Sequence, residues 1–499
     1  MTQIVMALDQ GTSSSRTLLI NQSQEIIASA SQIFDSHYPQ AGWVEQDPNQ
    51  IWQSQKNTLF EALAQAQLDL GQISAIGITN QRETTIAWNK ETGEPLCQSI
   101  VWQCRRTAEF CQKLKAQGHE ALFKEKTGLV LDPYFSGTKM RWIIDNVGGA
   151  KELAGLGLLA FGTVDSWLIW NLTQGKTHAT DPSNASRTLL YNIHTGQWDP
   201  ELLEILQIPA STLPQVLPSS GVIAHTDSSF GAEVPIAGVA GDQQASLFGQ
   251  ACFEAGESKN TYGTGCFFLM NTGHTAIPSN RGLLTTIAWQ IGSEVTYALE
   301  GSVFIAGALI QWLRDQLQLF ENAADTEPMA LEVKDNGGVY IVPAFVGLGA
   351  PHWDPYARGS IFGLTRDSNA KHIVRAALEA ICYQSYDLLQ AAKQDTGIEI
   401  PSLKVDGGAV ANGFLCQFQA DLLQSEVSRP INIEATAMGA AFLAGLATGV
   451  WSNLEEIRQG WKEDQCFVPQ LEPKEVEQLL QGWVKALDRS KGWASPDLS

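Results

Sequence analysis

The chain has 499 residues, 44% of them hydrophobic and only 17% charged: enough apolar length for more than one core and too little charge for a disordered chain. Its 53 acidic residues outnumber 32 Lys and Arg, which leaves a formal charge of −21. A surface of that sign repels polyanions, so no nucleic acid is expected as a partner, and phosphate in any site must be met by local groups.

Ile4 to Leu8 is a short apolar run that stops at Asp9-Gln-Gly11 with no basic residue ahead of it, which predicts a first strand and not a secretory signal. Thr17 to Ile20 and Ile26 to Phe34 continue as strands across a polar turn at Asn21-Gln-Ser-Gln24, an antiparallel start. Asp47 before Pro48 predicts a capped helix, with Ile51, Trp52, Leu59, Ala62, Leu63 and Ala66 at helical spacing. Ile73 to Thr79 is the next strand, so the opening predicts a mixed sheet with helical cover. Further on, Lys259 to Met270 and Val295 to Glu300 read as strands, and Ala370 to Lys393 as an amphipathic helix capped by Ser368. Leu403 to Val405 is a strand ahead of Asp406-Gly-Gly408. Thr436 is expected to cap a helix of small residues, Ala437 to Gly449, suited to close packing, and a final helix follows Pro473. No low-complexity linker divides the chain, so motif position alone places a boundary near Gly249, giving domains 1–249 and 250–499. The eight cysteines are scattered, with no C-x-x-C pair, and read as reduced, mostly buried thiols. No apolar run reaches the roughly eighteen residues of a membrane helix, so no membrane insertion and a cytoplasmic location are expected.

Three strand-to-loop junctions share an apolar run, then Asp, then small residues. They are Val5-Met-Ala-Leu-Asp9-Gln-Gly11-Thr12-Ser13-Ser14-Ser15-Arg16, Ile236-Ala-Gly-Val-Ala-Gly241-Asp242-Gln-Gln244 and Lys404-Val-Asp406-Gly-Gly408. Glycine lets backbone N–H groups approach a phosphate, hydroxyls add hydrogen bonds, and Asp at a strand end holds Mg²⁺ through water. Asp and Gly are common in turns, so one such junction carries little weight; three of one form point to nucleotide phosphates. There is no Walker A sequence. Gly155-Leu-Gly157-Leu-Leu-Ala160 precedes a strand-like run instead of opening a helix, so it is not a dinucleotide site.

These junctions resemble the glycerol kinases of the carbohydrate kinase family, as do Thr79-Asn-Gln-Arg82-Glu83-Thr-Thr, Val101-Trp102-Gln-Cys-Arg-Arg106, Tyr262-Gly-Thr264-Gly265-Cys-Phe267 and Asp406-Gly-Gly408-Ala-Val-Ala-Asn412. The likeness is colinear from Ile4 to the neighbourhood of Gln470. It implies an α/β fold of two actin-like (ribonuclease H-like) domains, mixed sheets flanked by helices, with an interdomain cleft. The implied reaction is ATP-dependent phosphorylation of glycerol to sn-glycerol 3-phosphate. The N-terminal domain would bind glycerol and phosphate, and the C-terminal domain the adenine nucleotide. The resemblance assigns Arg82, Glu83, Tyr134, Asp242 and Gln243 to glycerol, with Trp102 and Phe267 against its carbons. It assigns Thr12, Ser13, Ser14, Arg16, Thr264, Gly307, Gln311, Gly408 and Asn412 to ATP or ADP, and Asp9 to Mg²⁺. Asp242 would be the general base. A homo-oligomer, dimer or tetramer, is also implied.

Glycerol is small, neutral and carries three hydroxyls, so a selective site needs several polar groups and an apolar wall, which these residue types supply. Without the resemblance, Arg82-Glu83 reads as a surface ion pair, Trp102 and Phe267 as core, and Asp242 as the cap of a short helix from Gln244 to Gln250. Two rivals stay open: an ATP-binding switch with no small-molecule chemistry, and a kinase of a larger polyol or sugar acid. One loop departs from relatives that respond to fructose 1,6-bisphosphate or to histidine phosphorylation. In Thr226-Asp227-Ser228-Ser229-Phe230-Gly231-Ala232-Glu233, Glu233 stands where an Arg would be and Ser228 where a His would be, which predicts insensitivity to both.

Overall fold

The computed structural model describes residues 3–494. The opening apolar run forms β1 (Ile4–Gln10), paired antiparallel with β2 (Ser14–Asn21), which pairs antiparallel with β3 (Ile26–Ile33). β1 is apolar on both faces because both are covered: Ile4, Met6 and Leu8 enter one core, Val5 and Ala7 another. Asp47 caps α1 (Pro48–Ala66) by accepting from the Asn49 amide at 2.8 Å. β4 (Ala75–Asn80) then lies parallel to β1. After a long excursion containing α2 (Ser136–Asn146), the chain returns as β5 (Ser220–His225) and β6 (Pro235–Gly241). β6 is parallel to β4 and runs directly into α3 (Asp242–Gly249).

The second half contains β7 (Ser258–Tyr262), β8 (Cys266–Gly273), β9 (Leu284–Ile291) and β10 (Glu294–Val303), then α4 (Gly307–Asp315) and α5 (Ala370–Thr396). β11 (Ser402–Asp406), α6 (Gly413–Leu423), β12 (Glu426–Pro430), α7 (Ala435–Thr448), β13 (Glu463–Phe467) and α8 (Pro473–Ser490) complete it. These thirteen strands form one sheet in the order β13-β12-β11-β7-β8-β10-β9-β5-β6-β4-β1-β2-β3, and further short strands pair off in two-stranded ladders. Each half repeats one plan: an antiparallel meander (β3-β2-β1, then β10-β8-β7) followed by two parallel strands (β4 and β6, then β11 and β12). This is the actin-like, mixed-sheet architecture. The halves are joined through β5 and β9, which pair only at Ser220 and Ile291.

α7 comes from the second half yet lies on the first half's strands. Its small residues let backbone meet backbone: a Cβ on Gly77 would stand 2.1 Å from the Ala440 carbonyl oxygen, and one on Gly439 1.8 Å from that of Ala245. The core beneath mixes Val5, Ala7, Ala237 and Phe248 with Met438, Ala441 and Leu443.

Several expectations need correction. Lys259 to Met270 is not one strand: β7 and β8 are separated by a turn in which the Gly263 amide donates to the Gly265 carbonyl at 2.8 Å. Asn369, not Ser368, caps α5, accepting from the Lys371 amide at 3.0 Å, while the Ser368 hydroxyl accepts from the Thr365 amide. Thr436 lies within the first turn of α7, which starts at Ala435 after Glu434. Asp242 is the first residue of its helix and Gly241 holds the cap position.

Candidate functional site

β4 delivers Arg82 and Glu83 into the interior, where they are 2% and 1% exposed, so they are not a surface pair. Glu83 has φ of +60°, a left-handed conformation unfavourable for a side chain with a Cβ. Two side chains hold its carbonyl there. The fully buried Lys139 of α2 donates its Nζ to the Glu83 carbonyl at 2.9 Å and to the Tyr134 carbonyl at 2.7 Å, and the Ser136 hydroxyl donates to Glu83 O at 3.1 Å.

The Arg82 guanidinium is the centre of the cluster. Its Nε is 3.2 Å from Asp242 Oδ1, its Nη1 donates to Gln244 Oε1 at 3.2 Å, and its Nη2 is 3.4 Å from the Tyr134 hydroxyl. Both terminal nitrogens also grip Glu300, Nη2 at 2.9 Å from Oε1 and Nη1 on Oε2. Arg187 donates Nε to Glu83 Oε1 at 2.6 Å and Nη2 to Glu300 Oε1 at 2.9 Å. Burial pushes the Glu300 carboxyl up, but Arg187 and Arg82 outweigh it and hold it at about 2. Asp242, 29% exposed, is raised by burial against the pull of Arg82 and Lys259. Burial also brings Lys139 down to about 7 and Lys259 to about 8.

Gln243, 8% exposed, accepts from Lys259 Nζ at 2.5 Å. The Trp102 ring meets Tyr134 edge-on at 5.7 Å, and its Nε1 donates to Thr12 Oγ1 at 3.0 Å, which ties the wall of this cluster to the turn between β1 and β2. Phe267 sits half-buried on β8 opposite Thr261, without ring contact to Trp102 or Tyr134 among the described residues. The structure thus brings Arg82, Glu83, Tyr134 and Asp242 into direct contact and places Trp102 and Gln243 at their edge.

The residues expected at nucleotide gather at two turns that occupy equivalent places in the repeated meanders. Thr12 and Ser13 form the β1–β2 turn, closed by Gly11 donating to the Ser14 carbonyl at 2.9 Å. Ser14 and Arg16 follow on β2, and Arg16 is ion-paired with Glu434, just ahead of α7. Thr264 is the exposed tip of the β7–β8 turn, and its carbonyl accepts from the Ala306 and Ala308 amides at 2.9 and 3.1 Å. Gly307 opens α4 against the same turn, its amide 3.0 Å from the Gly263 carbonyl, and Gln311 is exposed one turn further on. Gly407, at φ +90°, passes so close to the Tyr262 carbonyl that a Cβ would stand 2.5 Å from it, which sets Gly408 beside the turn. Asn412 caps α6, accepting from the Leu415 amide at 3.0 Å.

Burial raises the Asp9 carboxyl to about 7, with Arg16 opposing and with Asp242 and Glu434 adding to the rise. A carboxylate this short of positive partners suits a divalent cation. No group of three or more His, Cys, Asp or Glu among the described residues is placed to hold a metal. A Mg²⁺ at Asp9 would therefore complete its shell with phosphate and water oxygens, its ordinary habit with nucleotides.

Glu300, Arg187, Lys139 and Lys259 were not singled out from the sequence. Glu300 and Arg187 have their charge partners far along the chain (Arg82 and Glu300 are 218 residues apart), and Lys139 reaches Glu83 from 56 residues away, so no local spacing marks these three. The single available signal is charge inside an apolar stretch, such as Glu300 ending the run from Val295. All eight cysteines are free and six are buried, as expected. No described helix is long and apolar enough to cross a membrane.

Residues 4–249 match the family model for the N-terminal domain of the FGGY family of carbohydrate kinases, and residues 258–448 match that for its C-terminal domain. The chain is 58% identical over 492 residues to a glycerol kinase of Symbiobacterium thermophilum, covering 98% of this chain and 99% of that one. It is 59% identical over 489 residues to a glycerol kinase of Shewanella amazonensis, covering 98% and 99%. Among solved structures, Plasmodium falciparum glycerol kinase with ADP superposes with a TM-score of 0.92 at 35% identity, covering 98% of each chain.

Proposed function

This chain belongs to the FGGY family of carbohydrate kinases, and from that premise we propose that it transfers the γ-phosphoryl group of ATP to a terminal hydroxyl of glycerol, giving ADP and sn-glycerol 3-phosphate. The likeness to glycerol kinases over nearly the whole chain supports the substrate. The observation that carries the chemistry is the buried pair Arg82 and Glu83, with the half-buried Tyr134 and a partly exposed Asp242 against the Arg82 guanidinium.

Phosphoryl transfer depends on positioning and charge neutralisation more than on covalent chemistry. Arg82, Glu83, Tyr134 and Gln243 bind the glycerol hydroxyls, and Trp102 with Phe267 covers the carbons. Asp242 accepts the proton of the attacking hydroxyl as the new phosphorus–oxygen bond forms, a role suited to a carboxylate made more basic by burial. Thr12, Ser13, Ser14, Arg16 and Thr264 hold phosphate oxygens, while Gly307, Gln311, Gly408 and Asn412 hold the rest of the nucleotide. Asp9 would hold Mg²⁺, which when bound neutralises charge on the phosphate oxygens. On this reading residues 1–249 bind glycerol and phosphate and residues 250–499 bind the adenine nucleotide. The family resemblance supports a cytoplasmic dimer or tetramer, which light scattering measures.

The test is turnover by the purified protein with ATP and a panel of glycerol, erythritol, larger polyols and sugar acids. Glycerol is expected to give the highest kcat/KM. A larger polyol or sugar acid in that place would replace the substrate, and ATP turnover indifferent to every acceptor would leave a nucleotide switch instead.

A further inference from the structure

We propose that Glu300 and Arg187 are positioning residues of the glycerol site, and that Glu300 makes this site depend on the register between the two halves of the molecule. The inference rests on the reading of Arg82 and Glu83 as glycerol-binding groups.

Both residues are fully buried. A buried charge persists only where partners compensate it, and here the count is even: the guanidiniums of Arg82 and Arg187 face the carboxylates of Glu83 and Glu300. Asp242 stands outside this four-charge set, on the Nε edge of Arg82. Glu300 takes the two terminal nitrogens of Arg82 as a fork, which leaves the Nε edge toward Asp242 at 3.2 Å. Without that fork, the two nitrogens keep just the longer bonds to Gln244 at 3.2 Å and the Tyr134 hydroxyl at 3.4 Å, and the guanidinium can turn onto Asp242, moving Arg82 off the glycerol and neutralising the base.

Arg187 does for Glu83 what Glu300 does for Arg82. Its Nε holds Glu83 Oε1 at 2.6 Å while Nη2 is held by Glu300 at 2.9 Å, so the Glu83 carboxylate cannot rotate independently of the rest. The remaining nitrogen, Nη1, is buried without a hydrogen-bond partner. The guanidinium lies 5.7 Å from the Tyr134 ring centroid and 5.2 Å from that of Phe135, so aromatic faces take that side and no polar group competes for it.

The chain positions of these residues give the arrangement its second property. Arg82, Glu83 and Arg187 lie in the stretch matching the N-terminal family domain, and Glu300 lies in the stretch matching the C-terminal one. Glu300 sits on β10, paired with Leu269 on one side and Leu284 on the other, so its backbone moves with the second half. The sheet itself joins the halves at the one pair Ser220 and Ile291. Any shift of one half against the other changes the fork on Arg82, and glycerol affinity must change with it.

The test uses full-length Glu300→Gln, Glu300→Asp and, as reference, Arg82→Lys. KM and kcat are measured for glycerol and for ATP, ADP affinity by calorimetry, and folding by thermal melts. Glu300→Gln is expected to raise the glycerol KM about tenfold or more, the scale of a lost buried charge partner, with ADP affinity within about threefold of the parent. Glu300→Asp, which keeps the charge but shortens the reach, is expected to fall between the two. If Glu300→Gln does not fold, a glycerol-specific rise in KM for Glu300→Asp supports the proposal and parent-like kinetics overturn it. A glycerol KM that rises for Arg82→Lys but not for either Glu300 variant sinks this inference alone, as does an equal rise in the KM values for glycerol and ATP. Arg82→Lys with an unchanged glycerol KM removes the site reading itself, and the inference with it.

Discussion

Asp242, the proposed base, sits at the N-terminal end of α3, beside Arg82 and partly exposed. Asp242→Asn keeps size and most hydrogen bonding while removing the proton acceptor, so kcat is expected to fall about 10²-fold or more with nucleotide affinity near the parent's. Its pH behaviour follows from sign. Burial raises this carboxyl above its ordinary value near 3.9, and only the ionised form accepts a proton. Activity should therefore fall as pH drops through that raised value, and the acid limb of kcat/KM should begin higher than an ordinary aspartate would give. The asparagine variant should lack that limb; finding it intact would move the role elsewhere. Trp102 and Phe267 are the apolar wall of the proposed glycerol site. Replacing both by alanine should weaken preference for glycerol over erythritol by about 1–3 kcal/mol, the scale of lost apolar contacts in a selective pocket. An unchanged kcat/KM ratio would return both rings to the core. At this scale the motif residues were legible because each lies within a short run whose neighbours repeat its message. Glu300, Arg187 and Lys139 were not, since what makes them matter is a partner brought near only by strand order and by the packing of α2.

Elements were legible wherever a cap or a period was unambiguous. Asp47-Pro48 marks α1, and the turn at Asn21 separates β2 from β3. Boundaries were misread where several polar residues compete. Ser368 and Asn369 both suit a cap, and backbone extension at Asn369 decides between them. The β7–β8 turn was hidden because apolar residues continue on both sides of Gly263-Thr264-Gly265. The small-residue helix was legible as a close packer, though its seat on β4 and β6 was not. Gly439→Ala tests the packing of the same helix against α3. A methyl group 1.8 Å from the Ala245 carbonyl must displace backbone, and a loss of about 1–3 kcal/mol of stability is expected. Gly148→Ala, with nothing within 4 Å, is the control and should melt with the parent. Equal melting of the two variants would show that α3 and α7 part easily.

Across the whole molecule, the two-domain actin-like plan followed from the resemblance, while the continuous thirteen-strand sheet did not, because it depends on one long-range pair between β5 and β9. The loop after β5 also belongs to this scale, since it lies on the outside of the first half. Residues Ser228–Phe230 form a short helical turn capped by Asp227; Lys176 already pairs with Asp227 at 2.6 Å, and Lys56 lies over the Phe230 ring, 5.7 Å from its centroid. With Glu233 in the same loop, a sugar bisphosphate meets negative charge and no free fork of donors. Titrating fructose 1,6-bisphosphate into the steady-state assay should leave the rate unchanged, and inhibition at sub-millimolar concentration would show a site built from other residues.

The seat of α7 also bears on how this protein is born. A ribosome makes β1, β4 and β6 early, and the helix that covers them only after most of the second half has emerged. Until then the glycine-lined face of the first sheet stands open to solvent or to a chaperone. The first half thus waits for a cover that only the second half supplies. Premature termination after α3 would leave a sticky fragment with its phosphate turn already formed and its core incomplete.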